Sequence, residues 1–230
     1  MAKNKAIILL SGGLDSATTL AIARNSGFDC MAMSLRYGQR HEIEIESARK
    51  IAASMGVIEH RIIDIDPAAF AGSALTDPDI AVPKNDTSFA ETGKIPITYV
   101  PARNTIFLSY ALAWAEVLKA ADIFIGVNQS DYSGYPDCRA EFIAAFENMA
   151  NLATAAADVG NIKYKIQTPI IEMTKADIIR AGTKLGVDYS LTHSCYDPNE
   201  KGLACGKCDS CSLRLKGFAE ADLTDPIEYL

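Results

Sequence analysis

The chain has 230 residues, 49% of them apolar and 22% charged, values that fit a packed globule and exclude a disordered chain. Lysine and arginine number 22 against 29 acidic residues; the formal net charge of −7 argues against a general nucleic-acid coat and confines any such contact to a local site. No apolar run approaches the ~20 residues of a membrane-spanning helix, and the run Ala6 to Leu10 is too short for a signal-peptide core, so a cytoplasmic protein without membrane contact is expected.

Lys5 to Leu10 is apolar after its lysine and ends at Ser-Gly-Gly, the pattern of a fully buried parallel strand. Leu14 to Ser26 reads as a helix stopped by Gly27. Phe28 to Leu35 is a second strand, His41 to Met55 a helix with Gly56 behind it, and Arg61 to Ile65 a third strand. After a proline-bearing stretch, Ala71 to Pro101, come a helix from Asn104 to Ala120 and a strand from Asp122 to Val127; Ala153 to Ala157 reads as helix. A stretch as long as 71–101 with little period is functional or mobile more often than decorative. Strand alternating with helix predicts a doubly wound α/β fold with a parallel sheet, its ligands held at the carboxyl edge of the strands. The division expected is an α/β domain over residues 1–190 and a small C-terminal module over 191–230.

Ser11-Gly12-Gly13-Leu14-Asp15-Ser16 lies between the first strand and the first helix. Two glycines let the backbone approach a ligand with no Cβ in the way, and the helix behind them offers unpaired N–H groups and the positive end of its dipole. Ser11 and Ser16 add hydroxyls. Such a site suits an anion, most simply a pyrophosphate. It is neither a Walker loop nor a dinucleotide fingerprint, because Gly-Lys-Ser/Thr and Gly-x-Gly-x-x-Gly are both missing. The segment resembles the signature of the PP-loop ATP-pyrophosphatase superfamily. The resemblance implies an adenine nucleotide alpha hydrolase-like fold and an ATP-binding segment of Leu10, Ser11, Gly12, Gly13, Leu14, Asp15, Ser16, Ala17, Thr18, Thr19 and Leu20.

Cys195, Cys205, Cys208 and Cys211 form C-x9-C-x2-C-x2-C. Two-residue gaps bring thiolates onto one ion and the nine-residue loop returns a fourth, which suits a structural zinc with no open position. Iron–sulfur ligation and redox thiols are the competing readings. Gly202 and Gly206 would relieve the tight turns. Cys30 reads as a buried small hydrophobe, and Cys138 stands in a polar loop.

Between these anchors stand Tyr37-Gly-Gln-Arg-His41, Val100-Pro-Ala-Arg-Asn-Thr105 and Gly126-Val-Asn-Gln-Ser-Asp-Tyr-Ser-Gly-Tyr-Pro-Asp-Cys-Arg139. Each lies at an expected strand end or helix start. Thr168 to Asp177 precedes another helix, which Thr174 could cap. Together with the glycine turn and the cysteines, these segments resemble the 7-cyano-7-deazaguanine synthase family over roughly Lys5 to Phe218. Arg36 departs from that pattern, which more often has an acidic residue before Tyr-Gly-Gln, and leaves the contact there open.

The resemblance implies an ATP-dependent carbon–nitrogen ligase of queuosine biosynthesis. It would take 7-carboxy-7-deazaguanine, ATP with Mg²⁺, and ammonium, with one structural Zn²⁺ per chain. Asp15, Ser16, Arg103 and Lys175 are the candidate catalytic residues. Tyr37, Gln39, Arg40, Asp131, Tyr132, Tyr135 and Asp137 are the candidate substrate contacts. No stretch is left over for a glutaminase domain, so free ammonium is the expected nitrogen donor, and no direct nucleic-acid partner is expected. His193 could brace Cys195, His41 is a candidate phosphate or substrate contact, and His60 reads as incidental. A homodimer is the usual prior for such enzymes. The rival classes are a tRNA-thiolating enzyme, for which Cys138 would be the reactive thiol, and a non-catalytic zinc-ribbon regulator.

Overall fold

The structure, a computed structural model, describes residues 4–40, 42–84, 95–128 and 135–230. Five parallel strands are β1 (Lys5–Leu9), β2 (Asp29–Arg36), β3 (Glu59–Asp64), β4 (Asp122–Phe124) and β5 (Lys165–Gln167). They lie in the order β3-β2-β1-β4-β5. The order reverses at β1, between β2 and β4, and that switch is where a doubly wound sheet leaves its ligand crevice.

Each strand has a helix to cross over with: α1 (Leu14–Asn25), α2 (Ile43–Ser54), α3 (Arg103–Leu118), α4 (Ala140–Ala153) and the single turn α5 (Ala155–Asp158). Two more, α6 (Lys175–Lys184) and α7 (Asp209–Glu220), follow the last strand. The continuous apolar run of β1 feeds both faces. Ala6, Ile8 and Leu10 pack with residues of α1, α2, α6 and α7, whereas Ile7 and Leu9 pack with Leu108, Ala111 and Trp114 of α3 and with Ile143 and Phe146 of α4. The expected parallel sheet covered on both faces is therefore the fold.

Three local expectations are corrected. Residues 165–167 form a strand that the sequence reading did not contain. The Ala-rich stretch is not one helix: Thr154 is extended (φ −113°, ψ 142°), and its hydroxyl donates to Ala150 O at 2.9 Å, ending α4 before α5 begins. β4 ends at Phe124, short of the expected Val127, although Ile125 N–H still donates to Gln167 O at 3.0 Å; Gly126 beyond it lies against α1, where a Cβ would be 3.1 Å from the Asp15 carbonyl carbon.

Residues beyond 191 fold back on this frame. α7 lies along α6 and buries Gly217 and Phe218. Arg214 is locked in a bidentate pair with Asp225, both bonds 2.9 Å, and its third nitrogen donates to Thr192 Oγ1 at 2.6 Å. The two side chains are 3% and 6% exposed, so truncating one leaves the other charged in a dry site. Arg214→Met is expected to lower stability by about 3 kcal/mol or more, read as a fall in the urea midpoint at constant slope; an unchanged midpoint would show that the pair adds nothing. Among the described residues no helix is long and apolar enough to cross a membrane.

Candidate active site and metal centre

β1 ends at the sheet's switch point, and the glycine turn carries the chain into α1. Gly12 holds φ +91°, and a Cβ there would lie 2.1 Å from the Glu44 carbonyl oxygen. Only glycine lets α2 come so close to the turn. Gly13 precedes α1 in an extended conformation with no side-chain cap of its own, so beyond Leu14 the first-turn donors of α1 are left for a ligand. Around it the hydroxyls are pre-set: Ser11 Oγ donates to Ser16 Oγ at 3.1 Å, and Ser16 Oγ donates to Gly13 O at 3.0 Å. The C-terminal segment buttresses the turn, with His193 N–H on Gly12 O at 2.9 Å and Leu14 N–H on Ser194 Oγ at 3.4 Å.

A cleft opens over this turn, bounded by the ends of β1, β2 and β4 and the starts of α1, α3 and α6. Lys175, at the first position of α6, reaches across to Asp15, with Nζ 2.7 and 2.9 Å from the two carboxylate oxygens. Thr174 caps that helix as expected, its side chain accepting from Asp177 N–H. Arg103, at the start of α3, lines the opposite wall and hydrogen-bonds the Tyr37 phenol. Burial works against its charged form, and the hydrogen bond to Tyr37 together with the nearby Asp137 carboxylate holds that form more firmly than water would. Asp15, Ser16, Arg103 and Lys175 thus share one cleft.

The candidate substrate contacts divide. Tyr37 and Tyr135 line the cleft, and burial raises both phenols. Tyr37 stacks edge-on against Phe70 and Phe107, 5.4 and 5.3 Å between centroids. Tyr135 shares a hydrogen with Thr98 Oγ1 at 2.7 Å. Gln39 also lines the cleft, with its amide oxygen accepting from Tyr37 N–H at 2.8 Å. Arg40 turns away and holds the 71–84 stretch by donating to the carbonyls of Asp77 and Ile80. Asp137 is buried and accepts from Asn104 N–H at 3.0 Å, capping α3. His41, Asp131 and Tyr132 lie outside the described residues.

Cys138 is buried, within 3.4 Å of Asn104 Nδ2. Burial, with Asp137 nearby, pushes its thiol up to about 12. A thiol held that high is neutral at physiological pH and unreactive, which removes the residue the thiolating rival would need. His60 is not incidental: its Nε2 lies 2.7 Å from Ser34 Oγ, which donates to Leu10 O and fixes the end of β1. Arg36 pairs with Asp64 at 2.6 Å and Glu42 at 3.3 Å on the exposed sheet edge.

Cys195, Cys205, Cys208 and Cys211 are all buried, with their sulfurs within 4.8 Å of one another. Backbone N–H groups point at the sulfurs: Cys205 N–H to Cys195 Sγ at 3.2 Å, Cys208 N–H to Cys205 Sγ at 3.3 Å and Tyr196 N–H to Cys208 Sγ at 3.5 Å. Lys84 also hydrogen-bonds Cys205 while pairing with Asp197 at 2.7 Å. Donors aimed at four clustered sulfurs offset the charge that four thiolates around a dication would leave, so the residues fit a tetrahedral metal. Gly202 and Gly206 take φ +83° and +68°, the turns such a knuckle needs.

Sequence reasoning missed Glu44, Asn128, Ser194 and Tyr196, all of which line the cleft. Asn128 was within reach of it: it lies in the segment Gly126 to Arg139 singled out in the sequence, and its amide ties the chain after β4 to the carbonyls of Ile170 and Met173 at 2.9 and 2.6 Å.

The sequence matches the family model described as "Queuosine biosynthesis protein QueC" over residues 5–222. It is 64% identical over 224 residues to the 7-cyano-7-deazaguanine synthase of Paramagnetospirillum magneticum, covering 97% of this chain and 98% of that one. With the enzyme of the same name from Desulfatibacillum aliphaticivorans it shares 60% identity over 228 residues, covering 99% and 97%. Among solved structures, that of NMN synthetase from Francisella tularensis has a TM-score of 0.52 at 18% identity, covering 96% of this chain and 79% of that one, a likeness of fold alone. A match over nearly the whole chain and these identities lead to one conclusion: the chain belongs to the QueC family of queuosine biosynthesis proteins.

Proposed function

We propose that this chain converts 7-carboxy-7-deazaguanine and ammonium into 7-cyano-7-deazaguanine at the expense of ATP. The observation that carries the reading is the cleft, in which an uncapped helix N-terminus, Lys175 and Arg103 surround one space at the sheet's switch point. ATP lays its phosphates on the Leu10–Leu20 segment, with Mg²⁺ bound to the nucleotide. A substrate carboxylate oxygen attacks the α-phosphorus; the new P–O bond forms as the bond to the bridging oxygen breaks, and pyrophosphate leaves with the electron pair. Lys175 and Arg103 meet the charge that gathers on the phosphates. Ammonia then adds to the acyl carbon and AMP departs, leaving the amide. A second ATP activates the amide oxygen in the same way, and loss of AMP and protons gives the nitrile.

Tyr37, Gln39 and Tyr135 are assigned to the deazaguanine, with Asp131 and Tyr132 as further contacts. Asp137 serves by fixing the start of α3, and hence Arg103. Residues 191–230 act as a module that a structural zinc holds against the cleft, through Cys195, Cys205, Cys208 and Cys211. The enzyme works in the cytoplasm as a homodimer, the commonest closed assembly.

The test is turnover with ATP, ammonium chloride and the carboxylated base, followed by mass spectrometry as acid becomes amide and then nitrile. AMP and pyrophosphate should appear together, once per activation. Pyrophosphate release indifferent to the carboxylated base, or turnover needing tRNA and a sulfur donor, would overturn the assignment.

A further inference from the structure

The proposed reaction produces protons that some group must take. Ammonium has no lone pair, so it must lose one proton before it can attack, and the nitrogen loses another as the amide forms. The described groups that line the cleft are mostly unsuited to accept it. Asp15 is held by Lys175 through both oxygens. The Cys138 thiol and the Tyr37 and Tyr135 phenols stay protonated, for burial raises all three. His193 lines the cleft but is only 7% exposed, in the segment that its own N–H ties to Gly12 O. Arg103, Lys175 and Arg214 are cations.

Glu44 differs. It stands in the first turn of α2, where the close approach allowed by Gly12 hangs its side chain over the cleft. Its carboxylate makes no hydrogen bond or ion pair with any described residue. Arg103 from α3 and the Tyr37 phenol from the loop after β2 act on it electrostatically, and Arg40, His193 and Cys195 line the small cavity beside it. On its own helix Glu46 pairs outward with Arg49 at 3.4 Å, away from the cleft.

Resting on the function proposed above, we propose that Glu44 is the proton acceptor of the amide-forming step: its carboxylate takes a proton from ammonium, the freed lone pair forms the C–N bond, and the C–O bond to AMP breaks with its electrons leaving on phosphate, which carries off the second proton of the nitrogen. The role suits its surroundings. Burial lifts Glu44 to about 7 while Arg103 restrains the rise, so near neutral pH the group is divided between acid and base, where a general base works best. Below about 7 the carboxyl is protonated and cannot accept, so the rate with ammonium should fall with acid along a limb that belongs to Glu44.

The experiment separates activation from amidation in Glu44→Gln. ATP–pyrophosphate exchange driven by the carboxylated base reports adenylation; amide formation reports the attack. At neutral pH the variant should lose roughly 100-fold or more in amide formation from ammonium yet still catalyse exchange. Hydroxylamine, already uncharged at that pH, should restore acyl transfer in the variant, and raising the pH should restore ammonium turnover in step with free ammonia. Glu44→Asp should recover part of the loss. An unchanged ammonium rate, or an equal loss with ammonium and hydroxylamine, would overturn the role. Absence of exchange in the unaltered protein would instead overturn the function on which the role rests.

Discussion

Cys208→Ser should lose its metal and much of its fold together. Cys208 is fully buried, sits immediately before α7, and accepts the Tyr196 N–H through its sulfur. A four-thiolate zinc contributes about 10–16 kcal/mol in small peptides, while a whole domain is stable by about 5–15 kcal/mol. Removing one ligand therefore removes a quantity comparable to the stability of the entire chain. The damage would not stay in the tail. α7 carries Arg214, and Gly217 of the same helix lies against Lys175, where a Cβ would come within 2.4 Å of that lysine's Cγ. Displacing α7 displaces Lys175, and with it one wall of the cleft. Elemental analysis of the unaltered protein should give about one zinc per chain, and the serine variant nearly none, with an early, broad melt. Stripping the unaltered protein with a chelator under reducing conditions should produce the same melt, reversed by zinc. Iron in place of zinc, or a stripped protein that melts where the loaded one does, would overturn the structural-zinc reading.

The parts of this molecule that were legible in sequence are those written in local pattern. β1 is visible because a strand buried on both faces must be apolar throughout, and the turn at Ser11 to Ser16 because a backbone at φ +91° pressed against α2 needs glycine. The cysteines are legible because ligand spacing is local. The losses have equally physical causes. β5 buries only Ile166 between Lys165 and Gln167, so a three-residue strand gives no period to read. Asp137 and Arg40 look like ligand-binding residues because charged side chains among turn residues usually face solvent. Here one caps a helix 33 positions away in sequence and the other clasps a loop 37 to 40 positions on. Glu44 was invisible for the opposite reason: an amphipathic helix with several glutamates gives no sign of which one a distant glycine will bring over a cleft. Contacts between segments far apart in sequence carry no local signature, and the cleft is built from them.

Lys175→Met should abolish most ATP-dependent pyrophosphate formation while leaving a folded protein. Lys175 is 8% exposed, and Asp15 satisfies its charge with two short bonds. The two stand on neighbouring helices, α1 and α6, packed on one face of the sheet, so the pair lies beside the glycine turn where phosphates would bind. The ammonium is thus pre-positioned by Asp15 without a ligand, ready to turn to an anion that the α1 N-terminus draws in. Removing one such pre-organised donor from a dry site costs roughly 10²–10³-fold in rate. The same change leaves Asp15 unpartnered, a cost of about 3 kcal/mol when a buried pair is broken, although Asp15 keeps 19% of its side chain exposed and can recover part of that from water. Asp15→Asn in the methionine background removes the orphaned charge and should return most of the stability without returning the activity. That split distinguishes the roles. If the double variant regained both, the pair would be a structural strut between the two helices; if stability returns and pyrophosphate release does not, the ammonium of Lys175 is acting on the nucleotide.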